Sequence, residues 1–204
     1  MRAHAKLFLA SSNAGKLAEF RALATASADS FPVELALLPG FDELPAFAEN
    51  APTFAENAAG KALHYSRHGD GLVFADDSGL VVPVLGGAPG VHSARYAGPQ
   101  STNSQRIEKL LVELRGKTVS ERAAYFVCAI ALAERGRATA IVTDRVDGEI
   151  LEASRGSGGF GYDPVFYFPA VGKTFAELSA EEKNQRSHRG KAFRRLLAAL
   201  PSML

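Results

Sequence analysis

The stretch Lys6-Leu7-Phe8-Leu9-Ala10-Ser11-Ser12-Asn13-Ala14-Gly15-Lys16 joins a short apolar run to a polar turn. Residues 6–10 read as a buried strand. Ser11, Ser12 and Asn13 are all good helix N-caps. Beyond them Leu17, Phe20, Leu23 and Ala24 recur at helical spacing on one face. A strand, a polar turn and an amphipathic helix in that order form the opening unit of an α/β fold.

The same alternation continues outward. Residues 31–38 form a second strand candidate, ended by Pro39-Gly40. Thr53-Phe54-Ala55-Glu56 fits a capping box, with a helix expected to run to about residue 68. Residues 72–75 read as a strand broken by Asp76-Asp77-Ser78-Gly79, and residues 80–85 as another. Ile107, Leu110, Leu111 and Leu114 form a helical stripe that Gly116 is placed to stop. Strands are expected at 123–133, 138–144 and 146–151, with Asp147-Gly148 as a turn or bulge within this stretch. A glycine-rich loop at 156–161 precedes the apolar run 165–168. A final helix carries Phe193, Leu196, Leu197 and Leu200. Hairpin-like strand pairs beside strand–helix units predict a mixed sheet flanked by helices.

With 204 residues, the chain suits one domain, here expected as two lobes. Hydrophobic residues make up 47% and charged residues 22%, ordinary globular usage. Lys plus Arg number 23 against 22 Asp plus Glu, which argues against a general nucleic-acid binder. Any anion site must therefore be local. The one cysteine, Cys128, lies in an apolar run and is expected to be buried. No intrachain disulfide is possible, so a cytoplasmic home is the simplest expectation. Met1-Arg2-Ala3-His4 precedes an apolar run too short for a secretion signal. No stretch has the length to span a membrane.

Five segments can carry chemistry. At Ser11 to Lys16, free backbone N–H groups at a helix start favour an anion, and Lys16 adds a charge one turn in. The P-loop pattern is absent, and an ordinary capped helix with a surface lysine would look the same. Asp76-Asp77 places two carboxylates at a strand end. They suit magnesium, which takes a few carboxylates plus waters and phosphates, but also suit a solvated polar turn. Lys61 lies beside the apolar stripe of its helix, where it could snorkel or reach into a cleft. Glu49, just upstream, is a third candidate carboxylate.

Gly156-Ser157-Gly158-Gly159-Phe160-Gly161 contains a literal Gly-x-Gly-x-x-Gly. Asp163-Pro164 and an extended run follow it rather than a helix, so a dinucleotide fingerprint is rejected. The loop could instead let backbone approach a ligand, with Phe160 as a stacking face. Lastly, Lys183, His188 and Arg189 cluster around Ser187, a possible cap of the final helix. That placement suits a bound anion or base edge, or simply a charged turn.

As a set these segments resemble the inosine triphosphate pyrophosphatase family. The resemblance rests on Ser11-x-Asn13-x-x-Lys16, on Thr53-Phe54-x-Glu56-Asn57 with Lys61, and on Asp76-Asp77-Ser78-Gly79-Leu80. It extends through Leu85-Gly86-Gly87-Ala88-Pro89-Gly90-Val91 with Ser93-Ala94-Arg95-Tyr96, and Gly159-Phe160-Gly161-Tyr162-Asp163-Pro164-Val165-Phe166. It ends on Glu181-Glu182-Lys183-Asn184 with Ser187-His188-Arg189-Gly190.

The resemblance implies an elongated mixed sheet with a central nucleotide-binding cleft, a homodimer, and Mg2+-dependent cleavage of non-canonical purine triphosphates to monophosphate and pyrophosphate. It implies that Ser11, Ser12, Asn13, Ala14, Gly15 and Lys16 hold the triphosphate, with Lys61 as a further contact. Glu49, Asp76 and Asp77 would gather around the metal, with Asp77 as the base and Ser78 touching the nucleotide. Phe160 would stack on the base, while Gly161, Tyr162, Asp163, Lys183, His188 and Arg189 would shape its pocket. Ser11 stands where threonine is frequent in the family, and Ala48 stands where some relatives carry a second acid beside Glu49. A non-catalytic nucleotide-binding module, or a pyrophosphatase for other modified nucleotides, are the rival readings.

Overall fold

A computed structural model describes residues 5–27 and 31–203. The terminal stretch Met1 to His4, weighed above as a secretion signal, lies outside the described residues. The chain is of the α/β class. Its seven-stranded mixed sheet has the order β2-β1-β3-β4-β5-β6-β7. The strands are β1 (Ala5–Leu9), β2 (Val33–Leu37), β3 (Leu72–Val81), β4 (Ala123–Glu134), β5 (Arg137–Ile150), β6 (Phe166–Phe168) and β7 (Lys173–Thr174). The helices are α1 (Ala14–Ala26), α2 (Phe54–Tyr65), α3 (Asn103–Glu113), α4 (Ala180–Arg186) and α5 (His188–Ala199). None among the described residues is long and apolar enough to cross a membrane.

The chain divides into two compact units. The first takes residues 1–77, 128–144 and 189–204, and the second takes 78–127 and 145–188.

In the first unit β1 pairs in parallel with β2 on one side and β3 on the other. The chain thus leaves β1 through α1 toward one neighbour and reaches the other through α2. Ligands bind outside the carboxyl ends of strands at such a switch point. Two apolar clusters cover the sheet here. One packs Leu7, Leu9 and Phe74 against Leu17, Phe20 and Leu23 of α1 and Phe193, Leu196 and Leu197 of α5. The other packs Val73 and Ala75 against Ala58, Ala62 and Tyr65 of α2. Alternate residues of β3 therefore serve opposite faces. Cys128 is fully buried in the first cluster.

The second unit has its own core. Ile107, Leu110 and Leu114 pack with Phe126, Val146, Phe166 and Phe175. Arg122 is buried there, donating to the carbonyls of Leu114, Ile150 and Leu151 at 2.9, 2.6 and 2.7 Å. It ties the end of α3 to the end of β5.

Several boundaries differ from the sequence reading. β3 runs unbroken through Asp76-Asp77-Ser78-Gly79, because the buried Asp76 charge is neutralised in place and Gly79 keeps ordinary strand backbone. The strand expected at 80–85 stops at Val81, and Pro83–Leu85 form a 3-10 turn. β5 likewise passes straight through Asp147-Gly148. Glycine is needed there for close approach rather than for a turn, since a Cβ would lie 2.4 Å from the Tyr167 carbonyl oxygen. α2 stops at Tyr65, short of residue 68. Its cap is half of the expected box: Thr53 accepts from the Glu56 N–H, but the Glu56 carboxylate takes the Thr53 hydroxyl. Ser187 ends α4, which is capped by Ser179, and α5 follows at once.

Candidate active site

The segment expected to cradle phosphate lies where β1 turns into α1. Asn13 is the N-cap, its side chain accepting from the Lys16 N–H at 3.0 Å, and Ser11 Oγ accepts from the Asn13 N–H at 3.0 Å. These bonds fix the turn. Ser12, Asn13, Ala14 and Gly15 stay exposed, so the backbone around the helix start faces solvent. The Ala10 N–H bonds to the Phe74 carbonyl at 2.9 Å, which aligns the end of β1 with β3. Asp76 lies two residues further along β3, on the face that α1 covers.

Asp76 is 1% exposed. Lys16 Nζ donates to its Oδ1 at 2.9 Å, and Arg189 Nε stands 3.5 Å from Oδ2. Arg189 in turn donates to Glu19 at 2.7 Å. A chain of alternating charge, Lys16–Asp76–Arg189–Glu19, thus links α1, β3 and α5. Burial pushes the Asp76 carboxyl up, but Lys16, Arg189 and Lys61 outweigh it and hold it well below the usual carboxylate range.

Asp77 points to the α2 face. Asn57, itself 1% exposed, donates Nδ2 to Asp77 Oδ2 at 3.0 Å. The Asn57 carbonyl oxygen accepts from the Ala51 N–H at 2.9 Å, which fixes the amide orientation and ties down the segment that carries Glu49. Burial pushes the Asp77 carboxyl up to about 6 against the Asn57 bond, with Glu49 and Asp76 adding to the rise. Glu49 pairs with Lys61.

The three expected metal ligands are thus electrostatically coupled, yet each has a protein partner. Among the described residues no group of three or more His, Cys, Asp or Glu side chains is arranged as a ready metal cage. The donor set itself fits a hard divalent cation. All donors are carboxylates, Asp77 bears the repulsion of the other two, and Asp76 Oδ2 is buried without a hydrogen bond.

The second unit holds the other expected residues. Phe160 is 52% exposed on the glycine loop, and Lys183 Nζ lies 4.4 Å from its ring centre. Lys183 pairs with the buried Asp163, which also accepts the Phe160 N–H at 2.7 Å. Gly159 has a left-handed φ of +67°, and a Cβ there would fall 2.2 Å from Asp163 Oδ2. Gly161, also at positive φ, is the next hinge of the loop. Tyr162 is buried and donates its hydroxyl to the Ser93 carbonyl at 3.0 Å. This bond anchors the loop. His188 stacks on Phe126, centroids 4.8 Å apart at 9°. Ser78 continues β3, half-buried.

Most of the expected residues are therefore gathered as two sets. Ser11 to Lys16, Glu49, Lys61, Asp76 and Asp77 belong to the first unit, and Phe160 to Asp163, Lys183 and His188 to the second. Arg189 belongs to the first unit, its guanidinium buried against Glu19 and Asp76. Asn57 and Glu19 were not singled out as site residues. Asn57 stood in the quoted motif, and its position one turn before Lys61 was the available signal. Glu19 had none, since its partner is distant in sequence.

A sequence model of the Ham1 family matches residues 7–199. A protein of Geobacillus kaustophilus named dITP/XTP pyrophosphatase is 53% identical over 191 residues, covering 94% of this chain and 92% of that one. A protein of the same name from Shouchella clausii is 47% identical over 187 residues, 92% of each chain. Among solved structures, a HAM1 protein from Coxiella burnetii superposes with a TM-score of 0.86 at 39% identity, covering 97% of this chain and 99% of that one. The Mycobacterium abscessus nucleoside-triphosphatase / dITP/XTP pyrophosphatase gives 0.73 at 38% identity, over 96% and 99%. Likeness of this depth over nearly the whole sequence, in a chain whose β1–α1 turn meets an aspartate pair on β3, makes this protein a member of the Ham1 family.

Proposed function

We propose that this protein is a nucleoside triphosphate pyrophosphohydrolase that cleaves non-canonical purine triphosphates, such as ITP, dITP and XTP, to the monophosphate and pyrophosphate. The observation that carries the reading is the Asp76–Asp77 pair. Two adjacent carboxylates midway along β3 are driven apart in proton affinity, and Asp76 is bonded to Lys16 of the first turn of α1. Environments that separate two acids in this way assign them different tasks. The curated relatives' names point to the same substrates.

Asp77, carrying a pKa of about 6, is a carboxylate at neutral pH and basic enough to take the proton of an attacking water. Asn57 occupies Oδ2, which leaves Oδ1 for that proton. The α1 N-terminus, Ser11, Ser12, Asn13 and Lys16 hold the polyphosphate, and Lys61 adds charge. Asp77, Glu49 and Asp76 would hold Mg2+, which when bound supplies Lewis-acid charge neutralisation and a lowered water pKa. Arg189 and Glu19 keep Asp76 ionised and fixed. Phe160 offers the stacking face for the base, while Lys183 and Asp163 set the position of its ring. His188, its plane fixed by Phe126, addresses the 6-oxo group. A 6-amino group would leave that donor unpaired, and hydrogen-bonding sites reject such a mismatch strongly. The protein works as a homodimer in the cytoplasm.

The test is a panel of ITP, XTP, dITP, GTP and ATP, with and without Mg2+, followed by product identification. Monophosphate and pyrophosphate from the first three, with Mg2+ only, are expected. Release of orthophosphate, or equal turnover of ATP, would count against the reading.

A further inference from the structure

The lysines assigned to the polyphosphate and the carboxylates assigned to the cation are, in this structure, bound to each other. Lys16 Nζ donates to Asp76 Oδ1 at 2.9 Å, and Lys61 is paired with Glu49. The pairs are substantially shielded: side-chain exposure is 29% and 1% in the first, 12% and 33% in the second. Asp77 is held by a neutral amide instead. The partners also differ in freedom to move. Asp76 stands on β3, an interior strand of the sheet, whereas both lysines reach in from helices on flexible four-carbon stems.

We infer that Lys16 and Lys61 compete with a divalent cation for the same carboxylates, so that a polyphosphate, by drawing the lysines to itself, strengthens the site's hold on the cation. The inference rests on the cation and polyphosphate roles proposed above. A cation arriving alone meets carboxylates that are already neutralised, and its binding strands an ammonium in a shielded place. A polyphosphate arriving alone must part each lysine from its carboxylate and leave that charge uncompensated. Arriving together, each ligand satisfies the group that the other displaces. Such coupling is reciprocal by linkage.

The experiment measures ligand binding rather than turnover. Mn2+ affinity in the absence of nucleotide is read from the free-ion paramagnetic resonance signal for the wild-type protein, Lys16→Met and Lys61→Met. Each variant is expected to bind Mn2+ at least about tenfold more tightly than the wild type. In the reverse arm, tripolyphosphate is titrated in the presence of EDTA. Glu49→Gln, which frees Lys61, is expected to bind it at least about tenfold more tightly than the wild type. Unchanged or weaker Mn2+ affinity in the lysine variants, no Mn2+ binding by any of the three proteins, or no gain for Glu49→Gln would each overturn the inference. The two lysine variants and the reverse arm are independent, so one misfolded variant leaves the others decisive, and circular dichroism identifies it. A protein that shows the exchange but releases no pyrophosphate from ITP would keep this inference and lose the proposed reaction.

Discussion

Asp76 and Asp77 are neighbours in the chain but face opposite sides of one strand, Asp76 toward Lys16 and Arg189, Asp77 toward Asn57. The period-two geometry of β3 alone separates them. One meets cations and stays ionised, while the other meets an amide and two further acids and holds its proton more firmly. The difference is what supports the proposed roles of Asp77 as base and Asp76 as fixed charge.

Replacing Asp77 by Asn or Ala should lower turnover of ITP at least about a hundredfold, the scale of a positioned acid–base group. Steady-state pyrophosphate release measures it. Near-normal turnover in Asp77→Ala would remove Asp77 from the mechanism.

The same residue should limit stability. Its folded pKa of about 6 lies above the 3.8 of an unperturbed aspartate, so the folded state binds the proton more tightly than the unfolded chain. Its contribution is fully present below about pH 3.8 and is lost as pH rises through about 6. Asp77→Asn should therefore stabilise the protein by about 1–3 kcal/mol at pH 8 and by almost nothing at pH 4. Urea denaturation in EDTA at both pH values tests this, and a gain at pH 4 equal to that at pH 8 would contradict it.

Asp76→Asn should act in the opposite direction. It takes one carboxylate away from the buried Arg189, at a cost of about 3–5 kcal/mol. Because the folded pKa of Asp76 is depressed, its contribution is present above the unfolded value and disappears as pH falls through the folded one. The gap between wild type and variant in urea midpoint should be wide at pH 7 and should narrow in acid.

Phe160→Ala should leave the melting temperature nearly unchanged, since the ring is half exposed. Loss of a base stack is worth about 1–3 kcal/mol, about tenfold or more in KM for ITP. An unaltered KM would mean that the base lies elsewhere.

Gly159→Ala should damage the same loop by another route. The left-handed backbone resists the side chain, and the new methyl would strike Asp163, pushing it off Lys183. A loss of about 1–3 kcal/mol in thermal denaturation, with a raised KM for ITP, is expected. Wild-type values for both would show that the Asp163–Lys183 pair does not set the ring.

The strand–turn–helix at residues 6–24 was readable because apolar period and capping chemistry agree there, and Asn13 is the N-cap. The chain goes on from the glycine loop to β6, the extended run that Asp163-Pro164 and the apolar residues after it indicate. The sequence reading failed where a tertiary partner overrides local propensity. Asp76-Asp77-Ser78-Gly79 looks like a turn until Lys16 and Arg189 neutralise the charge that would end the strand. Asp147-Gly148 looks like a turn until Tyr167 and Phe166 occupy the space of the missing side chain. The partners of Arg189 are not visible in its own neighbourhood, because Glu19 and Asp76 are both distant from it in sequence.

The first unit is assembled from three separated stretches, and the guanidinium that completes its charge chain sits on the last of them. On the ribosome, Asp76 must therefore wait for nearly the entire polypeptide before its second counter-ion emerges. The apolar surface that Phe193 and Leu196 will cover stays open for the same interval. Nascent chains stalled before residue 189 should be the species that chaperones hold.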